Sequence, residues 1–534
     1  MREGLLADVS TAVGRERGEG ARAPRPVAAL TVISHPMPQR VGERFPLDAL
    51  DSGKQVPLSR NAPDFLRPGA VMGLPLADPF LSRRPILFAP GEEGRVRLFV
   101  DEGGTKVVAG EPLLGGREFS PEELASGVPL ELAGRVVVLL HLVDPRQEGT
   151  PDSLGMVGES VGTQRVRQDI AQVADLDVPV LIRGETGTGK ELVAQAIHAR
   201  SKRRSERFVS VNLGAIPREL AAAELFGARK GSYTGATRER EGFFRAAQGG
   251  TLFLDEVGEA SPEVQVMLLR VLETGEMYPV GDSSPVSTDV RLIAATDANL
   301  EEQIRQGRFK APLMHRLAGY GIRVPPLRER REDLGLLLFH FAREELEVLG
   351  ESSRLMPTDP YTEPWLPASL VARLVRYSWP GNIRQLRNLT RQLVIASRGQ
   401  RSPRLDHLLE QELQGTSAPA LGRPCSAPEP PAPKAAPRRK PSEVSERELL
   451  AALREHSWDF QAAAEQLGIP RPSIYDLIDK SPNIRTAGEL SAEEITRCHH
   501  ECRGDLEAMV RRLEVSKRAL RRRIKELGLE SKGP

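Results

Sequence analysis

The chain has 534 residues, of which 40% are hydrophobic and 28% are charged, and its formal net charge at pH 7 is +1. This length predicts roughly three or four domains of ~150 residues each, and the balanced charge excludes a chain that is basic throughout. Three cysteines, Cys425, Cys498 and Cys502, are too few for a disulfide framework. The longest apolar run, VVVLLHLV, is far below the ~20 residues that span a bilayer, and no charged-then-apolar leader opens the chain. We therefore expect a cytoplasmic protein without a membrane partner.

The front of the chain has the pattern of a small β domain. Residues 1–27 are predicted to be a disordered N-terminus. Residues 28–145 alternate short β-rich runs, such as ALTVIS and VRLFVD, with Gly and Pro turns, and they lack a long helical period. This pattern predicts a β-sandwich.

The central part, residues 153–400, alternates strands with helices. Strand-like runs such as VPVLIRG, TLFLDE and VRLIAAT are separated by helical stretches such as KELVAQAIHAR. Because such an alternation requires crossover connections, it predicts a parallel sheet that helices cover on both faces. We expect an α/β domain here.

The last part contains a linker and an internal repeat. Residues 412–444 are rich in Pro and Ala and are predicted to be an extended linker. Beyond them, residues 448–480 align without a gap on residues 494–526, and each unit has the pattern helix, helix, break, helix. We therefore predict tandem all-α helix-turn-helix units at 445–482 and 490–530.

The strongest chemical signal is LIRGETGTGKELV, in which Gly184, Gly189 and Lys190 have the spacing of a phosphate-binding loop between a strand and a helix. Glycines let backbone N–H groups face phosphate oxygens, and Lys190 reaches the outer phosphates as a point charge. Glu191 occupies the position where the general pattern has a Mg²⁺-binding hydroxyl. The nucleotide-binding residues predicted in this loop are Gly184, Glu185, Thr186, Gly187, Thr188, Gly189, Lys190 and Glu191.

A pair of carboxylates follows the buried strand in GGTLFLDEVGE. We predict that Asp255 holds Mg²⁺ through water and that Glu256 polarises the attacking water, since hydrolysis needs a general base beside the γ-phosphate. Two adjacent carboxylates are more often a solvated turn, but four apolar residues precede this pair and the phosphate loop lies upstream. The predicted cofactors are ATP and Mg²⁺.

Seven motifs follow one another along the chain: GETGTGKE, ELFGARKGSYTGA, GGTLFLDEVGE, LLRVLETGEMYPVG, VRLIAAT, VPPLRERREDL and WPGNIRQLRN. In order and spacing they resemble the AAA+ domain of bacterial enhancer-binding proteins, which activate sigma-54 RNA polymerase. The resemblance implies an α/β AAA+ P-loop domain with a helical lid, and it implies sigma-54 and RNA polymerase as partners. GSYTGA is similar to the family's GAFTGA loop, which touches sigma-54 and moves with nucleotide state. The implied sigma-54 contacts are Gly231, Ser232, Tyr233, Thr234, Gly235 and Ala236.

The same resemblance implies roles for residues outside the loop. Asn212 corresponds to the asparagine that restrains the catalytic glutamate, here Glu256. Arg384 corresponds to the sensor arginine that contacts bound nucleotide from the lid. Arg316 corresponds to an arginine finger supplied by a neighbouring subunit, which implies self-assembly into a ring, expected to be a hexamer.

Two positions depart from the family pattern. Lys310 stands where the family has its other arginine finger, and Arg308, two positions earlier, is an alternative source of that charge. Asp297 ends the sensor strand where the family has asparagine, and a carboxylate there would repel the γ-phosphate. We expect slow hydrolysis, and the alternative to an active machine is a nucleotide-binding DNA scaffold with impaired ATPase.

The front domain resembles a forkhead-associated (FHA) domain in VPLSRNAPDF, LADPFLSRRP and DEGGTKVVAG. That resemblance implies a β-sandwich whose loops bind a phosphothreonine protein. Pro85 replaces the family's histidine, and the asparagines of its NGTxVNG motif are absent. The alternative interpretation is therefore a degenerate sandwich whose loop residues are only solvated. The candidate phosphopeptide residues are Arg60, Ser82, Arg83 and Thr105.

Both C-terminal repeats resemble the Fis-type helix-turn-helix that carries such activators to enhancer DNA. The final helix of the first copy, RPSIYDLIDK, mixes acidic and basic residues, whereas that of the second copy is strongly basic. The second copy should dominate DNA affinity, and the first would serve dimerisation or a weaker half-site. The predicted DNA-binding residues are Lys517, Arg518, Arg521, Arg522 and Arg523.

A possible zinc site remains at CHHEC, where Cys498 and Cys502 share a helix face. In the repeat alignment these cysteines replace Ala452 and His456 of an ordinary first helix. Because no second pair of ligands lies nearby in the sequence, we expect an ordinary helix and no metal.

Overall fold

The computed structural model describes the chain in two compact units, Met1–Arg423 and Pro424–Pro534. In the first unit the described residues are 26–144, 152–229, 231–232, 240–355, 359–400, 403, 410 and 413. In the second unit they are 444–456, 458, 460–467, 469, 473–474, 477–478, 481, 490–502 and 505–527.

Two antiparallel sheets form the front domain, in agreement with the predicted β-rich fold. One sheet has the strand order β2-β1-β10-β9-β6-β7, and the other has the order β3-β4-β5-β8. A short helix, α1, connects β8 to β9. The bounds are β1 Val27–Ser34, β2 Arg44–Pro46, β3 Val56–Leu58, β4 Ile86–Pro90, β5 Val96–Val100, β6 Val107–Ala109, β7 Glu111–Pro112, β8 Gly115–Phe119, α1 Pro121–Ser126, β9 Val128–Leu132 and β10 Val136–Val143.

The two sheets differ in what covers their outer faces. In β5, buried Val96 and Leu98 alternate with exposed Arg97 and Phe99, because one face of this sheet meets solvent. Strand β10 has no such alternation, and all but one of its residues are buried. Its sheet is therefore covered on both faces.

A five-stranded parallel sheet lies at the centre of the α/β domain, with the order β12-β13-β16-β11-β17. Apolar strand residues face helices on both sides, as the alternating pattern predicts. A two-stranded hairpin, β14-β15, follows α6. The bounds are α2 Val161–Val173, β11 Val180–Arg183, α3 Lys190–Ala199, β12 Phe208–Asn212, α4 Arg218–Phe226, α5 Phe243–Ala246, β13 Thr251–Asp255, α6 Pro262–Thr274, β14 Glu276–Met277, β15 Val286–Ser287, β16 Arg291–Thr296, α7 Leu300–Arg305, α8 Ala311–Leu317 and β17 Tyr320–Arg323.

A helical subdomain follows the sheet and consists of α9 Leu334–Val348, α10 Ala368–Arg376 and α11 Asn382–Ala396. Its core includes the fully buried Trp379, whose Nε1 donates to the carbonyl of Leu374 at 2.9 Å. This subdomain corresponds to the predicted lid.

The lid covers the second face of the front sheet. Ile33 of β1 and Leu139 of β10 belong to the same apolar cluster as Leu338 of α9. At Gly335 a Cβ atom would collide with the carbonyl of Ile33, so only glycine allows this close approach. The front domain and the lid therefore share one core.

The C-terminal unit contains helices from both repeats. Ser445 and Ser491 each cap their first helix in a capping box, with Glu448 and Glu494 as the third helical residues. The alignment of the repeats makes these positions equivalent. Most of the first copy's final helix lies outside the described residues. The bounds are α12 Glu446–Glu455, α13 Phe460–Leu467, α14 Ala492–Glu501, α15 Leu506–Leu513 and α16 Lys517–Glu526.

Among the described residues, none of the helices combines the length and the apolar character that crossing a bilayer requires.

Candidate nucleotide-binding site

The predicted phosphate loop connects β11 to α3. Gly187 and Gly189 have φ values of 79° and 98°, a left-handed conformation that favours glycine. The Nζ of Lys190 donates to the carbonyl of Gly184 at 2.8 Å and contacts that of Glu185 at 3.4 Å. Burial lowers the pKa of Lys190, although Asp297, Asp255 and Glu256 oppose that shift. The fold therefore gathers the predicted cation and carboxylates around one loop.

Asp255 is the last residue of β13 and Glu256 follows it, as the sequence predicts. The Nδ2 of Asn212 lies 3.4 Å from Oδ2 of Asp255, and the N–H of Glu256 donates to Oδ1 of Asp255 at 3.1 Å. Glu256 itself adopts a left-handed conformation, with φ 56°. At Gly214 a Cβ atom would collide with Oε2 of Glu256. Among the described residues, Asn212 thus bonds to Asp255, while Gly214 leaves the space that the Glu256 side chain occupies.

Asp297 follows β16, and its Oδ2 accepts a hydrogen bond from Oγ1 of Thr186 in the phosphate loop. The N–H of Gly184 donates to the carbonyl of Thr296 at 3.2 Å. These two bonds attach the phosphate loop to the end of β16. The carboxylate that the sequence marks as unusual therefore has a hydroxyl donor in the loop.

Glu185 points toward the lid. Arg328 binds both its carboxylate oxygens, at 2.7 and 2.5 Å, and the Nδ2 of Asn382 donates to Oε2 at 3.2 Å. The Arg328 guanidinium lowers the pKa of Glu185. Predicted as a nucleotide-binding residue, Glu185 uses its carboxylate to connect the loop to the start of α11.

The same end of α11 contacts the phosphate loop through its backbone. The N–H of Arg384 donates to the carbonyl of Gly187 at 3.2 Å, and a Cβ atom at Gly187 would collide with the carbonyl of Gly381. The fold thus brings the predicted sensor arginine next to the loop.

Sequence reasoning missed a buried polar cluster beneath this site. Oδ1 of Asp333 accepts from the N–H groups of Glu159 and Ser160, at 2.6 and 2.8 Å. Oδ2 accepts from the hydroxyls of Ser160 and Thr163, at 2.5 and 2.7 Å. Arg330 donates to Thr163 Oγ1 and to the carbonyl of Thr188, both at 3.2 Å. The motif VPPLRERREDL contains Arg330 and Asp333, but it carries no signal for partners so distant in the chain.

A cavity lies between the α/β sheet and the lid, beside the phosphate loop. Its walls are largely apolar, and Thr188 and Gly189 form one edge. A largely apolar cavity next to a phosphate loop suits a nucleotide base. Further lining residues are Met156, Val157, Val193, Leu337, Phe341 and Ile383.

The residues predicted as arginine fingers, or as substitutes for one, lie on the surface. The side chain of Arg316, on α8, is 60% exposed and lies 3.8 Å from Glu273. Lys310 and Arg308 are also exposed, and the guanidinium of Arg308 donates to Oε1 of Gln306 at 2.9 Å. Among the described residues, none of these three side chains bonds to the phosphate loop of its own chain.

Of the predicted sigma-54 loop, the structure describes Gly231 and Ser232, and Tyr233, Thr234, Gly235 and Ala236 lie outside the described residues. The base of the loop is held by Arg229, whose N–H donates to the carbonyl of Val280 at 3.0 Å and whose Nε lies 2.6 Å from Asp282. At Gly281 a Cβ atom would lie 2.5 Å from the Cβ of Ser232. The loop therefore starts directly against the segment between β14 and β15.

The front domain brings together three of its four predicted phosphopeptide residues. The N–H of Arg60 donates to the carbonyl of Ser82 at 3.1 Å, and the N–H of Ser82 donates to Oγ1 of Thr105 at 2.9 Å. Oγ of Ser82 accepts from the N–H of Arg84 at 3.0 Å. Arg83 is exposed beside them.

In the C-terminal unit, the predicted DNA-binding residues all lie on α16. Lys517 and Arg521 are exposed and Arg523 is half-buried, whereas the side chains of Arg518 and Arg522 lie outside the described set.

Sγ of Cys498 is 3.9 Å from Sγ of Cys502, and burial raises the pKa of Cys498 to about 11. Within the described residues, no group of three or more His, Cys, Asp or Glu side chains is placed to hold a metal ion.

Comparison with known proteins identifies the central region. The sequence profile of the Sigma-54 interaction domain matches residues 156–323, and that of the AAA+ ATPase lid domain matches residues 328–420. NtrX from Brucella abortus, solved in complex with ADP, is 29% identical, with 71% of this chain and 70% of that chain covered and a TM-score of 0.43.

Several curated regulators are similar over longer stretches. The DNA-binding transcriptional regulator NtrC of Azospirillum brasilense is 39% identical over 387 residues, which are 72% of each chain. The nitric oxide reductase transcription regulator NorR1 of Cupriavidus necator is 40% identical over 358 residues, 65% of this chain and 68% of that one. NtrC of Escherichia coli K12 is 45% identical over 260 residues, so the match spans 49% of this chain and about half, 52%, of that relative. The chain therefore belongs to the family of sigma-54-dependent transcriptional regulators that includes NtrC and NorR.

Proposed function

We propose that this chain is a sigma-54-dependent transcriptional activator that binds enhancer DNA and uses ATP hydrolysis to remodel the closed RNA polymerase promoter complex. The observation that carries the proposal is the convergence of Lys190, Asp255, Glu256 and Asp297 on one phosphate loop. They follow neighbouring parallel strands, whose carboxyl ends meet at one edge of the sheet.

The residues present fit ATP. The N–H groups around Gly187 and Gly189 and the start of α3 would hold the phosphates, with Lys190 neutralising their charge. The apolar cavity between sheet and lid would hold the base. Arg384 would contact the phosphates from the lid side, and the bond from its backbone N–H to the carbonyl of Gly187 supports this role.

The carboxylates fit Mg²⁺ chemistry. Each oxygen of Asp255 accepts one protein hydrogen bond and keeps further acceptor capacity. Asp255 would hold the ion through water, and Glu191 supplies no hydroxyl ligand of its own. Mg²⁺, when bound, would neutralise charge on the transferred phosphoryl group. Glu256 would accept a proton from the attacking water.

Hydrolysis is proposed to require a neighbouring subunit. The exposed Arg316 would complete the site of the next protomer in a ring, expected to be a hexamer, because a planar guanidinium stabilises the phosphoryl charge. Nucleotide turnover would then move the loop containing Tyr233 against sigma-54. Support for this step comes from the loop base, which is packed on the segment between β14 and β15.

The main test is an open-complex assay on a sigma-54 promoter, comparing the wild-type protein with Thr234→Ala. The wild type should form open complexes with ATP, and the variant should retain ATPase activity but form none. Open complexes formed equally well by Thr234→Ala would contradict the proposed role of the loop.

A second candidate is a nucleotide-binding DNA scaffold with impaired ATPase. Lys310 in place of an arginine finger and the carboxylate of Asp297 favour it. Steady-state ATPase measurements with and without Glu256→Gln separate the two. A near-zero rate that Glu256→Gln leaves unchanged would support the scaffold.

The front domain is proposed to be an FHA-like regulatory domain that binds a phosphothreonine protein. Supporting contacts come from the segment 77–84, which contains Ser82 and Arg83. In the same segment, Asp78 pairs with Arg135 at 3.1 Å, and Arg135 donates to the carbonyl of Pro360 in the lid at 2.7 Å. Phe80 also contacts Tyr361, at a ring distance of 6.2 Å. A phosphate bound at Arg60 and Ser82 would therefore act on a segment that already contacts the lid.

The second C-terminal repeat is proposed to bind enhancer DNA, because α16 carries its cations in the helix that a helix-turn-helix places in the major groove. The relatives from Azospirillum and Escherichia are themselves named DNA-binding regulators. The first repeat would serve dimerisation or a weaker half-site. Replacing Arg521 with Ala should reduce the salt dependence of DNA binding, with a slope change of about one.

A further inference from the structure

Gln265 lies on α6 and is 1% exposed, yet its side chain does not serve its own helix. Its Nε2 donates to the carbonyls of Ala260 and Arg308, both at 2.9 Å. Its Oε1 accepts from the N–H of Lys310, also at 2.9 Å. The amide thus uses both N–H groups and one acceptor on backbone atoms.

These bonds fix the segment 307–310, which connects α7 to α8. Phe309 is buried, so Arg308 and Lys310 on either side of it point outward and are exposed. On the other side of the segment, the carbonyl of Gln303 accepts from the N–H groups of Arg308 and Phe309, at 2.8 and 3.3 Å. A buried amide and a neighbouring helix end therefore hold this backbone from two directions.

The same amide connects this segment to the catalytic strand. Helix α6 begins at Pro262, just after the short turn Val257–Glu259 that follows Glu256. Through Ala260 and Lys310, Gln265 joins that turn to the start of α8, which carries Arg316. One side chain thus bridges the region after the carboxylates and the region with the exposed cations.

We propose that Gln265 is a positioning residue for the segment 307–310, here called the finger segment. Gln265 would thus act on the nucleotide site of the neighbouring subunit and not on the site of its own chain. This inference rests on the proposed ring ATPase. The hydrogen bonds from Gln265 to the backbones of Arg308 and Lys310 fix the positions from which both candidate finger side chains project. The expected loss of activity in a Gln265 variant is the same whether Arg308 or Lys310 is the finger, because the same amide holds both backbones.

The test uses mixed rings of the full chain. Gln265→Ala should lower ATPase activity roughly 10- to 100-fold as a pure protein, with the KM for ATP nearly unchanged, as expected when a group acts only in the transition state. Glu256→Gln should be inactive alone. Mixed in equal amounts, the two should recover activity, because about a quarter of the interfaces pair an intact Glu256 with an intact finger segment.

The control is a mixture of Arg316→Ala with Glu256→Gln, which should also recover activity if fingers act between subunits. If this control fails, the proposed ring mechanism is wrong. If the control recovers and the Gln265→Ala mixture does not, Gln265 supports its own site and the inference is overturned.

A second variant protects the test against misfolding. Gln265→Met keeps the length of the side chain and buries no charge, but it removes the donors to Ala260 and Arg308 and the acceptor for Lys310, and it should be complemented in the same way. Thermal melting of each protein alone identifies a variant that fails to fold. Folded Gln265→Met that is fully active alone would also overturn the inference.

Discussion

The two halves of the candidate nucleotide site are built in opposite ways. The half that belongs to the chain's own fold is buried and bonded: Lys190 is 9% exposed, and Asp333 beneath it is fully buried with four donors. The proposed other half consists of exposed cations, with the Arg316 side chain 60% exposed. Folding alone therefore places the first half, whereas the second half would need the neighbouring subunit of the proposed ring.

This difference separates stability from activity. Changes in the buried half should lower the free energy of unfolding together with activity, because they leave buried polar groups unpaired. Changes in the exposed half should lower activity and leave the subunit intact, because surface ion pairs contribute little to stability.

The largest expected effect is on the exposed half. Arg316→Ala should lower kcat roughly 10³- to 10⁵-fold, the usual contribution of an arginine finger. Arg316→Lys should recover little of it, because an ammonium does not reproduce the planar fork. ATPase assays and thermal melting check both variants. A melting temperature of Arg316→Ala several degrees below that of the wild type would contradict the separation of stability from activity.

Next comes the buried half. Asp333→Ala removes the acceptor of four hydrogen bonds and should cost about 3 kcal/mol or more of unfolding free energy. Glu263→Ala, an exposed acid on α6, is the control and should change stability by less than ~0.5 kcal/mol. Denaturant unfolding followed by tryptophan fluorescence measures both. Equal losses in the two variants would contradict the assigned role of Asp333.

Sequence predicted those parts of the site that local backbone geometry encodes. The motif requires the glycines and Lys190 to follow a strand and start a helix, and it requires Asp255 to end a buried strand. The structure has these residues at those places. The parallel sheet followed from the same alternation.

Partners distant in the chain had no such signal. Asp333 bonds to Ser160, 173 positions away, and Glu185 bonds to Arg328, 143 positions away. The run VVVLLHLV lacks polar alternation, which indicates a strand covered on both faces, but nothing in it identifies the lid as the cover. Gln265 reads as one polar residue in an amphipathic helix.

The buried half should also have its own pH dependence. Burial and the neighbouring Asp333 carboxylate raise the pKa of Glu332 from 4.5 to about 7. Between these values the folded protein keeps a proton that the unfolded chain releases, so stability should fall as pH rises from 4.5 to 7, by no more than about 1.4 kcal/mol per pH unit. Glu332→Gln should flatten this part of the stability profile. If the stability of Glu332→Gln still fell with pH as in the wild type, other groups would cause the pH dependence.

The smallest expected effect concerns Asp297, which lies at the edge of the buried half. Its carboxylate accepts a hydrogen bond from Thr186, but it would still repel a γ-phosphate held by the loop. Asp297→Asn keeps an acceptor for Thr186 and removes the charge, so it should tighten ATP binding roughly 10-fold, or about 1.4 kcal/mol. ADP has no γ-phosphate, and its affinity should change less than that of ATP. Equal gains for both nucleotides, measured by calorimetry, would mean that the carboxylate acts on the loop and not on the phosphate.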